Sequence, residues 1–287
     1  MDPIDLLCLG EALVEFNERD PGVWHQGVGG DTLNVAVAAA RAGARVGYAT
    51  ALGADRWGDT ILTRCKKEGI DTSAITRDKD RDTGLYFVRH DTEGHYFSYR
   101  RTESAATCYA PSPTLDFELS RCRMLHLSGI TLAIAQPQLI QHSLATAKAA
   151  GAEISFDLNY RALLWPPERA REPILAAMRM SDILLPGLDD LSSLFNIRDI
   201  DEAIAFCLEQ TNLVVLKNGK NDVIVADHTD RHAITPPTVT PQDANGAGDC
   251  FAGTFLAELA RGIAPIAAAQ SAAMAAALST TTFGAQS

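Results

Sequence analysis

The 287-residue sequence lacks the features that mark several specialised protein classes. Its six cysteines include no Cys-x-x-Cys pair, so neither a zinc site nor a disulfide framework is indicated. No apolar run is as long as a membrane span, and no cationic leader precedes an apolar run. We therefore expect a reduced, cytoplasmic protein that does not insert into a membrane.

Basic residues are also scarce. Lysine and arginine total 25 against 36 aspartates and glutamates, which gives a formal net charge of −11. This charge opposes non-specific binding to nucleic acid or to an anionic membrane. An anionic substrate would therefore need local clusters of arginine or lysine. Hydrophobic residues make up 46% of the chain, which suits one large or two ordinary globular domains.

The two common nucleotide-binding motifs are missing. The Gly219-Lys220 pair is followed by Asn221, not by the serine or threonine of a Walker loop. Gly246 and Gly248 have no third glycine at the spacing of a dinucleotide fingerprint. A nucleotide would have to be bound by a different kind of loop.

Short apolar strands alternate with helical segments along most of the chain. Strands are predicted at 5–10, 45–51, 124–127, 153–156, 183–185 and 213–216, and helices at 35–42, 60–68, 136–150, 174–180, 200–210, 250–261 and 265–278. This alternation predicts an α/β protein whose mostly parallel sheet has helices on both faces. Ligands in such sheets bind beyond the carboxyl ends of the strands.

One part of the chain has a different pattern. Residues 83–89 and 95–101 alternate polar with apolar or aromatic side chains, and residues 91–94 between them are typical of a hairpin turn. Such strands are not apolar enough for a sheet covered on both faces. We expect them to form a small β-flap outside the main sheet.

The segment 243–249 (DANGAGD) carries the strongest chemical signal. It precedes a predicted helix, so its unpaired backbone N–H groups and the helix dipole favour an anion. Gly246 and Gly248 allow close approach of the backbone to that anion. Asp249 beside a phosphate would be repelled, which suggests a base that takes a proton from an attacking hydroxyl. The alternative is an ordinary glycine-rich loop with an acidic helix start.

Other strand ends offer partners for this base. Gly29, Gly30 and Asn34 suit sugar hydroxyls, although a plain helix cap at Asp31 or Thr32 is the alternative. Arginines in 99–101 and 157–161 suggest capture of a carboxylate or phosphate, against a default of surface ion pairs. Residues 217–219 close another strand and are weak candidates for a nucleotide pocket.

These motifs, in this order, resemble those of the ribokinase (PfkB) family of sugar kinases. Residues 243–253 resemble the family's C-terminal signature, and 29–36 with 53–59 resemble its N-terminal one. Within the family the chain is most similar to 2-keto-3-deoxygluconate kinases, through residues 10–14, 83–86, 97–101, 127–130 and 157–165.

The resemblance implies a single ribokinase-like α/β domain over 1–287, with lid strands from about 11–27 and 83–102. It implies ATP-dependent phosphorylation of 2-keto-3-deoxygluconate, or its epimer, to the 6-phosphate, with Mg²⁺. A fructokinase or other neutral-sugar kinase is the alternative, and a non-catalytic sugar-binding regulator is a second one. A cytoplasmic homo-oligomer, a dimer or larger, is also expected.

The resemblance also implies roles for individual residues. Asp249 is the implied base, with Gly246, Ala247 and Gly248 as the anion hole. The implied contacts of the sugar acid are Gly29, Gly30, Asn34, Tyr86, Ser98, Tyr99, Arg100 and Arg161, with Arg100 and Arg161 on its carboxylate. The implied ATP side comprises Asn159, Arg161, Lys217, Gly219 and Asp222, together with the anion hole.

Four positions depart from the family pattern. Asn245 stands where threonine or another small residue is usual, and Asp222 stands in place of a frequent glycine. Gly187 and Asp190 occupy the ends of a segment that is commonly Asn-x-x-Glu in the family. The metal ligands are therefore left unassigned, with Asp190 as an indirect candidate.

Overall fold

The computed structural model describes residues 3–91 and 94–286, which form two β-sheets and the helices around them. In chain order the strands are β1 (Ile4–Leu9), β2 (Leu13–Asp20), β3 (Val23–Gly29), β4 (Val46–Gly53), β5 (Ile75–Asp78), β6 (Leu85–Asp91), β7 (Gly94–Arg100), β8 (Cys122–Ser128), β9 (Glu153–Asp157), β10 (Ile183–Leu185), β11 (Leu213–Leu216), β12 (Val223–Ala226) and β13 (Arg231–Ile234). Two residues of the predicted hairpin turn, 92 and 93, lie outside the described residues.

Ten α-helices connect or follow these strands within the described residues. They are α1 (Asp31–Arg41), α2 (Arg56–Lys67), α3 (Pro113–Arg121), α4 (Gly129–Ile134), α5 (Pro137–Ala149), α6 (Pro167–Met180), α7 (Leu188–Phe195), α8 (Ile200–Leu208), α9 (Ala247–Ala260) and α10 (Pro265–Ser279), and a 3₁₀ turn spans Ala105–Cys108. None of the described helices is long and apolar enough to cross a membrane.

The large sheet has nine strands in the order β13-β12-β11-β10-β9-β8-β1-β4-β5. Its pairs are parallel except for β11 with β12 and β12 with β13, which are antiparallel. The mostly parallel α/β sheet predicted from the sequence is therefore confirmed. Because the carboxyl ends of parallel strands share one edge, the loops after β1, β8, β9, β10 and β11 meet there.

The core lies on both faces of this sheet, as β1 shows. Leu7 and Leu9 join the cluster that includes apolar residues of α3, α5, α6, α7 and α8. Leu6 and Cys8 join the cluster that includes residues of α1, α2, α9 and α10. Successive side chains of a strand point to opposite faces, so one apolar strand serves both clusters.

The small sheet has the order β3-β2-β6-β7. The pairs β2–β3 and β6–β7 are antiparallel, and β2 runs parallel to β6 between them. We call these four strands the small sheet throughout. Strands β2 and β3 lie between β1 and α1, whereas β6 and β7 follow β5. The small sheet is therefore connected to the large sheet at two separate places in the chain.

Several predicted boundaries were wrong, and six elements were not predicted. Helix α1 begins at Asp31 and α2 at Arg56, four residues before their predicted starts; the Asp55 carboxylate caps α2 by accepting from Gly58 N at 2.7 Å. Helix α6 begins at Pro167, well before the predicted start at 174. It continues through Pro173, which is exposed and does not end the helix. The unpredicted elements are β5, α3, α4, α7, β12 and β13, all of fewer than ten residues.

Candidate active site

A cavity of about 750 Å³ lies at the carboxyl ends of the large-sheet strands, facing the small sheet. The predicted site residues that line it are Gly30, Asn34, Tyr86, Tyr99, Asn159, Arg161, Asp190, Lys217, Gly219, Gly246, Gly248 and Asp249. They come from segments spread over more than two hundred residues of sequence. The fold thus brings most of the predicted residues into one place.

The anion loop immediately precedes α9. Gly246 has a left-handed backbone conformation with φ of 76°, and its carbonyl accepts the N–H of Cys250 at 2.8 Å. A Cβ atom there would lie 2.6 Å from the backbone oxygen of Ala285, so only glycine fits. The N–H of Ala247 donates to the carbonyl of Ala244 at 3.3 Å, so the N–H of Gly248 is the next one in α9 that can meet a ligand. Asp249 lies in this first turn.

Asp249 is held by a neighbour from the other end of the chain. The side-chain amide of Asn34, in α1, donates to Asp249 Oδ2 at 2.8 Å. Removal from water, reinforced by the charges of Asp31 and Asp157, raises the pKa of Asp249 to about 7, although the Asn34 hydrogen bond and Lys217 lower it in part. A carboxyl with this pKa can accept a proton near neutral pH.

The start of α1 is fixed around Gly30 and Asp31. Gly30 has φ of 118°, and a Cβ atom there would lie 2.2 Å from the backbone oxygen of Glu11. Asp31 accepts hydrogen bonds from Ser128 Oγ at 2.5 Å and from Asn159 Nδ2 at 2.9 Å. Three loops are therefore tied together beside Asp249. The alternative of a plain helix cap at Asp31 or Thr32 is wrong, because Gly30 is the cap residue of α1 and no side chain caps this helix.

The opposite side of the cavity carries Asp157, Lys217 and Asp190. Asp157, at the end of β9, is buried and forms an ion pair with Lys217, which follows β11. Burial and the charge of Asp157 raise the pKa of Asp190 to about 6, against lowering by Lys217 and Arg161. A Cβ atom on Gly187 would lie 2.8 Å from Asp190 Oδ2. The two departures from the family pattern are therefore linked, since the missing side chain leaves room for this carboxylate.

The small sheet supplies aromatic rings and a cation. Tyr86 and Tyr99 stack with centroids 5.9 Å apart, and the guanidinium of Arg101 lies 5.4 Å from the centre of the Tyr99 ring. The Tyr86 hydroxyl donates to the buried carboxylate of Glu15. These rings form an apolar wall, and Arg101 at its end faces the cavity.

Arg101 is held by Glu11, which is only 2% exposed. The two form an ion pair, and Ser104 Oγ donates to the other oxygen of Glu11 at 2.8 Å. Among the described residues no group accepts a hydrogen bond from the buried Arg101 Nε. This Nε atom is also closed off from solvent, so the part of Arg101 that lines the cavity is the rest of its side chain.

Arg100, which was predicted to meet the substrate carboxylate, does not line the cavity, whereas its neighbour Arg101 does. Arg100 and Ser98 line a second depression, on the face of the small sheet away from the cavity. Arg100 is exposed and donates to the backbone oxygen of Tyr99 at 3.0 Å. Because strand side chains alternate in direction, Tyr99 and Arg101 share the cavity face whereas Ser98 and Arg100 share the other.

Three further predicted residues do not line the cavity. Asp222 is exposed and accepts a hydrogen bond from Thr235 Oγ1 at 2.8 Å. Gly29 ends β3 opposite Leu13, and Ala247 begins α9 beside the lining residues. Asp222 on the nucleotide side and Ala247 in the anion loop therefore stay predictions that the lining of this cavity does not support.

Sequence reasoning missed Glu11 and Leu163 as lining residues. Glu11 lies just after the carboxyl end of the buried strand β1, and residues at such strand ends are expected to line a ligand site. Leu163 is 87% exposed in the loop after β9, and an exposed leucine carries no signal on its own. No group of three or more His, Cys, Asp or Glu among the described residues is placed to hold a metal ion.

Known proteins share this architecture. The chain is 32% identical over 269 residues to the 2-dehydro-3-deoxygluconokinase of Escherichia coli (strain K12), with 88% of this chain and 87% of that protein covered. It is 31% identical to the probable fructokinase-2 of Arabidopsis thaliana, covering 88% and 81% respectively. The structure of a fructokinase with bound ATP from Xylella fastidiosa superposes with a TM-score of 0.87 at 27% identity, over 98% of this chain and 93% of that one.

The family model described as pfkB family carbohydrate kinase matches residues 4–287. The ribokinase-like fold predicted from the motifs is thereby confirmed, as is the prediction of an enzyme that transfers a phosphoryl group. The chain belongs to the pfkB family of carbohydrate kinases and is a sugar kinase.

Proposed function

We propose that this kinase transfers the γ-phosphoryl group of ATP to the primary hydroxyl of 2-keto-3-deoxygluconate, or of its epimer, giving the 6-phosphate. The observation that carries the proposal is that Arg101 and Arg161 line the same cavity as Asp249. In a protein with net charge −11, two arginines in one cavity suit a substrate carboxylate. The similarity to the Escherichia coli 2-dehydro-3-deoxygluconokinase supports this substrate class.

In the proposed reaction Asp249 accepts the proton of the attacking hydroxyl. The hydroxyl oxygen forms a bond to the γ-phosphorus while the bond to the ADP oxygen breaks. The backbone N–H groups of Gly246 and Gly248, together with the positive end of the α9 dipole, stabilise the charge on the transferring group. Tyr86 and Tyr99 hold the carbon chain, with Arg101 and Arg161 on its carboxylate. Alignment of the two substrates accounts for most of the rate, for which roughly 7–11 kcal/mol is available.

The nucleotide phosphates are proposed to lie towards Asn159, Lys217 and Gly219, beside the anion loop. The fructokinase from Xylella fastidiosa was solved with bound ATP. Mg²⁺ fits this end of the cavity, because Mg²⁺ is commonly held by one or two carboxylates together with substrate phosphates and waters. Asp190, with the space left by Gly187, is the carboxylate proposed to hold it. The ion would neutralise phosphate charge.

Fructose is the second candidate substrate. It is favoured by the 31% identity to the probable fructokinase-2 of Arabidopsis thaliana. A regulator without activity would not need the hydrogen bond that Asn34 gives to Asp249. We also propose that the enzyme is cytoplasmic. We further propose that it is a homo-oligomer, since the apolar side chains of Tyr96 and Val23 in the small sheet are at least half exposed.

The test is ADP release with Mg-ATP and four sugars: 2-keto-3-deoxygluconate, 2-keto-3-deoxygalactonate, fructose and ribose. We expect kcat/KM for the two acids to exceed that for the neutral sugars by about 10-fold to 150-fold, because one charged hydrogen-bond pair contributes about 1.5–3 kcal/mol. Preference for fructose would refute the substrate assignment and leave Asp249 as the base. Turnover of none of the four would refute the proposed function.

A further inference from the structure

The C-terminal segment 280–286 packs directly behind the anion loop. The backbone N–H groups of Gln242 and Asp243 donate to the carbonyl of Thr280 at 2.7 and 3.0 Å. The N–H of Gly284 donates to Asp243 Oδ2 at 3.0 Å. Segment 280–286 contains none of the residues proposed to take part in phosphoryl transfer, yet it contacts the loop that precedes α9.

The last described residue of this segment reaches the partner of the base. Gln286 Nε2 donates to Asn34 Oδ1 at 3.0 Å. Its backbone oxygen accepts a hydrogen bond from Arg64, in α2, at 3.2 Å. Asn34 is itself buried and donates to Asp249 at 2.8 Å. Three side chains from three distant segments therefore form one hydrogen-bonded series.

The direction of this series follows from the chemistry of Asp249. An ionised carboxylate only accepts hydrogen bonds, so Asn34 must present its NH₂ group to Asp249. Its carbonyl oxygen then faces Gln286, which must present an NH₂ group in turn. Without a donor at position 286, Asn34 can reverse its amide and place its oxygen against Asp249. That arrangement favours the protonated carboxyl, which cannot act as a base.

We propose that Gln286 is a positioning residue for phosphoryl transfer: its amide fixes the orientation of Asn34, so that Asp249 is kept as the carboxylate. This inference rests on the proposed role of Asp249 as the base. Gln286 touches neither substrate in this arrangement and acts only through Asn34.

The other charges around Asp249 come from four elements and are the same in every variant below. Asp31 in α1 and Asp157 at the end of β9 raise the pKa of Asp249, and Lys217 after β11 lowers it. Tyr86 of the small sheet faces it as a neutral hydroxyl. Because the pKa of Asp249 is about 7, a modest change in its hydrogen bonding alters the fraction of active base under ordinary assay conditions.

The experiment measures the pH dependence of kcat/KM for the full chain with Mg-ATP and the most active sugar of the panel. Gln286→Glu places an acceptor and a charge opposite Asn34, and Gln286→Met removes the donor without adding charge. Gln270→Glu is the matched control, since Gln270 is exposed on α10. Thermal unfolding shows whether each variant is folded.

On the acid side, kcat/KM falls as Asp249 becomes protonated, and we call this part of the pH profile the acid limb. We expect Gln286→Glu to move the acid limb upward by about one pH unit, which lowers kcat/KM at pH 6 by about tenfold. Gln286→Met should move it in the same direction by about half a unit, a loss of about threefold at pH 6. KM for ATP should not change, and Gln270→Glu should behave as wild type. An unchanged limb in Gln286→Met overturns the inference, even if Gln286→Glu moves it, because charge alone would then be responsible.

A second measurement is independent of turnover. Aspartate labelled with ¹³C at Cγ reports each carboxyl titration by NMR, and the signal lost in Asp249→Asn assigns Asp249. Its titration should move upward in both Gln286 variants. If the wild-type enzyme is active but the pKa of Asp249 is the same in wild type and in both Gln286 variants, this inference alone is refuted. If the wild-type enzyme is inactive, the proposed function is refuted.

Discussion

The end of the cavity that holds Asp249 and the end that holds Arg101 are built from different parts of the chain. Asp249 and Asn34 lie in α9 and α1, which pack against the large sheet and each other. Tyr86, Tyr99 and Arg101 come from β6, β7 and the residue after β7, in the small sheet. The base is therefore supported by the main core, as is Arg161 in the loop after β9, whereas the aromatic rings and Arg101, the other proposed carboxylate contact, are carried by the small sheet.

This difference separates chemistry from selectivity. A base and an anion loop fixed to the core act on any hydroxyl presented to them. The small sheet can change its side chains without changing that machinery. Variants at the base end should therefore affect all sugars alike, and variants at the small-sheet end should affect sugars unequally. The following changes test this comparison in order of expected effect.

Asp249→Asn should lower kcat by about 10³-fold for every sugar that the enzyme accepts, because the amide cannot take the proton. ATP binding should be retained, as measured by calorimetry. Asp230→Asn, at an exposed residue, is the control and should stay within about twofold of wild type. A loss confined to one sugar would contradict the view of Asp249 as the common base.

Arg101→Met should lower kcat/KM for the keto-deoxy acid by about 100-fold and for fructose by only a fewfold, because one charged hydrogen-bond pair is lost. Arg100→Met is the matched control on the other face of the small sheet and should change kcat/KM by about twofold at most.

Removing Arg101 alone leaves the buried Glu11 carboxylate unpaired, which is strongly destabilising. The double variant with Glu11→Gln removes this charge and should recover thermal stability but not acid selectivity. Equal losses on acid and neutral sugar in the double variant would show that Arg101 supports the fold and does not select the substrate.

Lys217→Met should raise KM for ATP by about tenfold, equivalent to about 1.4 kcal/mol, and change KM for the sugar little. Lys217 lies at the phosphate side and pairs with Asp157. Initial rates with each substrate varied in turn give both constants. A rise in the sugar KM alone would place Lys217 at the sugar end instead.

The pH dependence of the wild-type enzyme should show a single acid limb near 7 that is common to all sugars. The pKa of Asp249 is raised above 3.8 to about 7, so protonation below pH 7 removes the base and kcat/KM falls about tenfold per pH unit. A limb near pH 4, or limbs that differ among neutral sugars, would contradict this assignment.

The fold class and the place of Asp249 in the cavity could be predicted because their signals are local. Apolar strands, helical periodicity and a glycine-rich turn before a helix each lie within a few consecutive residues. The contacts of Glu11 could not be predicted in this way, since its partners Ser104 and Arg101 lie about ninety residues later. The bond between Gln286 and Asn34 spans 252 residues and leaves no local pattern.

The choice between Arg100 and Arg101 shows a different limit. Alternation divides β7 into two sets of side chains but does not say which set faces the cavity. Aromatic residues occur in both sets, since Tyr96 shares the outer face with Ser98, and Phe97 lies with Tyr99. Only the position of the small sheet over the large one decides between them.

The parallel pairing of β2 with β6 has a consequence for how the chain is made. Glu15 and Tyr86, which pair across these strands, are 71 residues apart. A ribosome therefore delivers the β2–β3 hairpin long before the strand that completes it, and one long edge waits unpaired meanwhile. Contacts of such separation form slowly. During synthesis, this half-made sheet therefore presents an edge with which another nascent chain can pair.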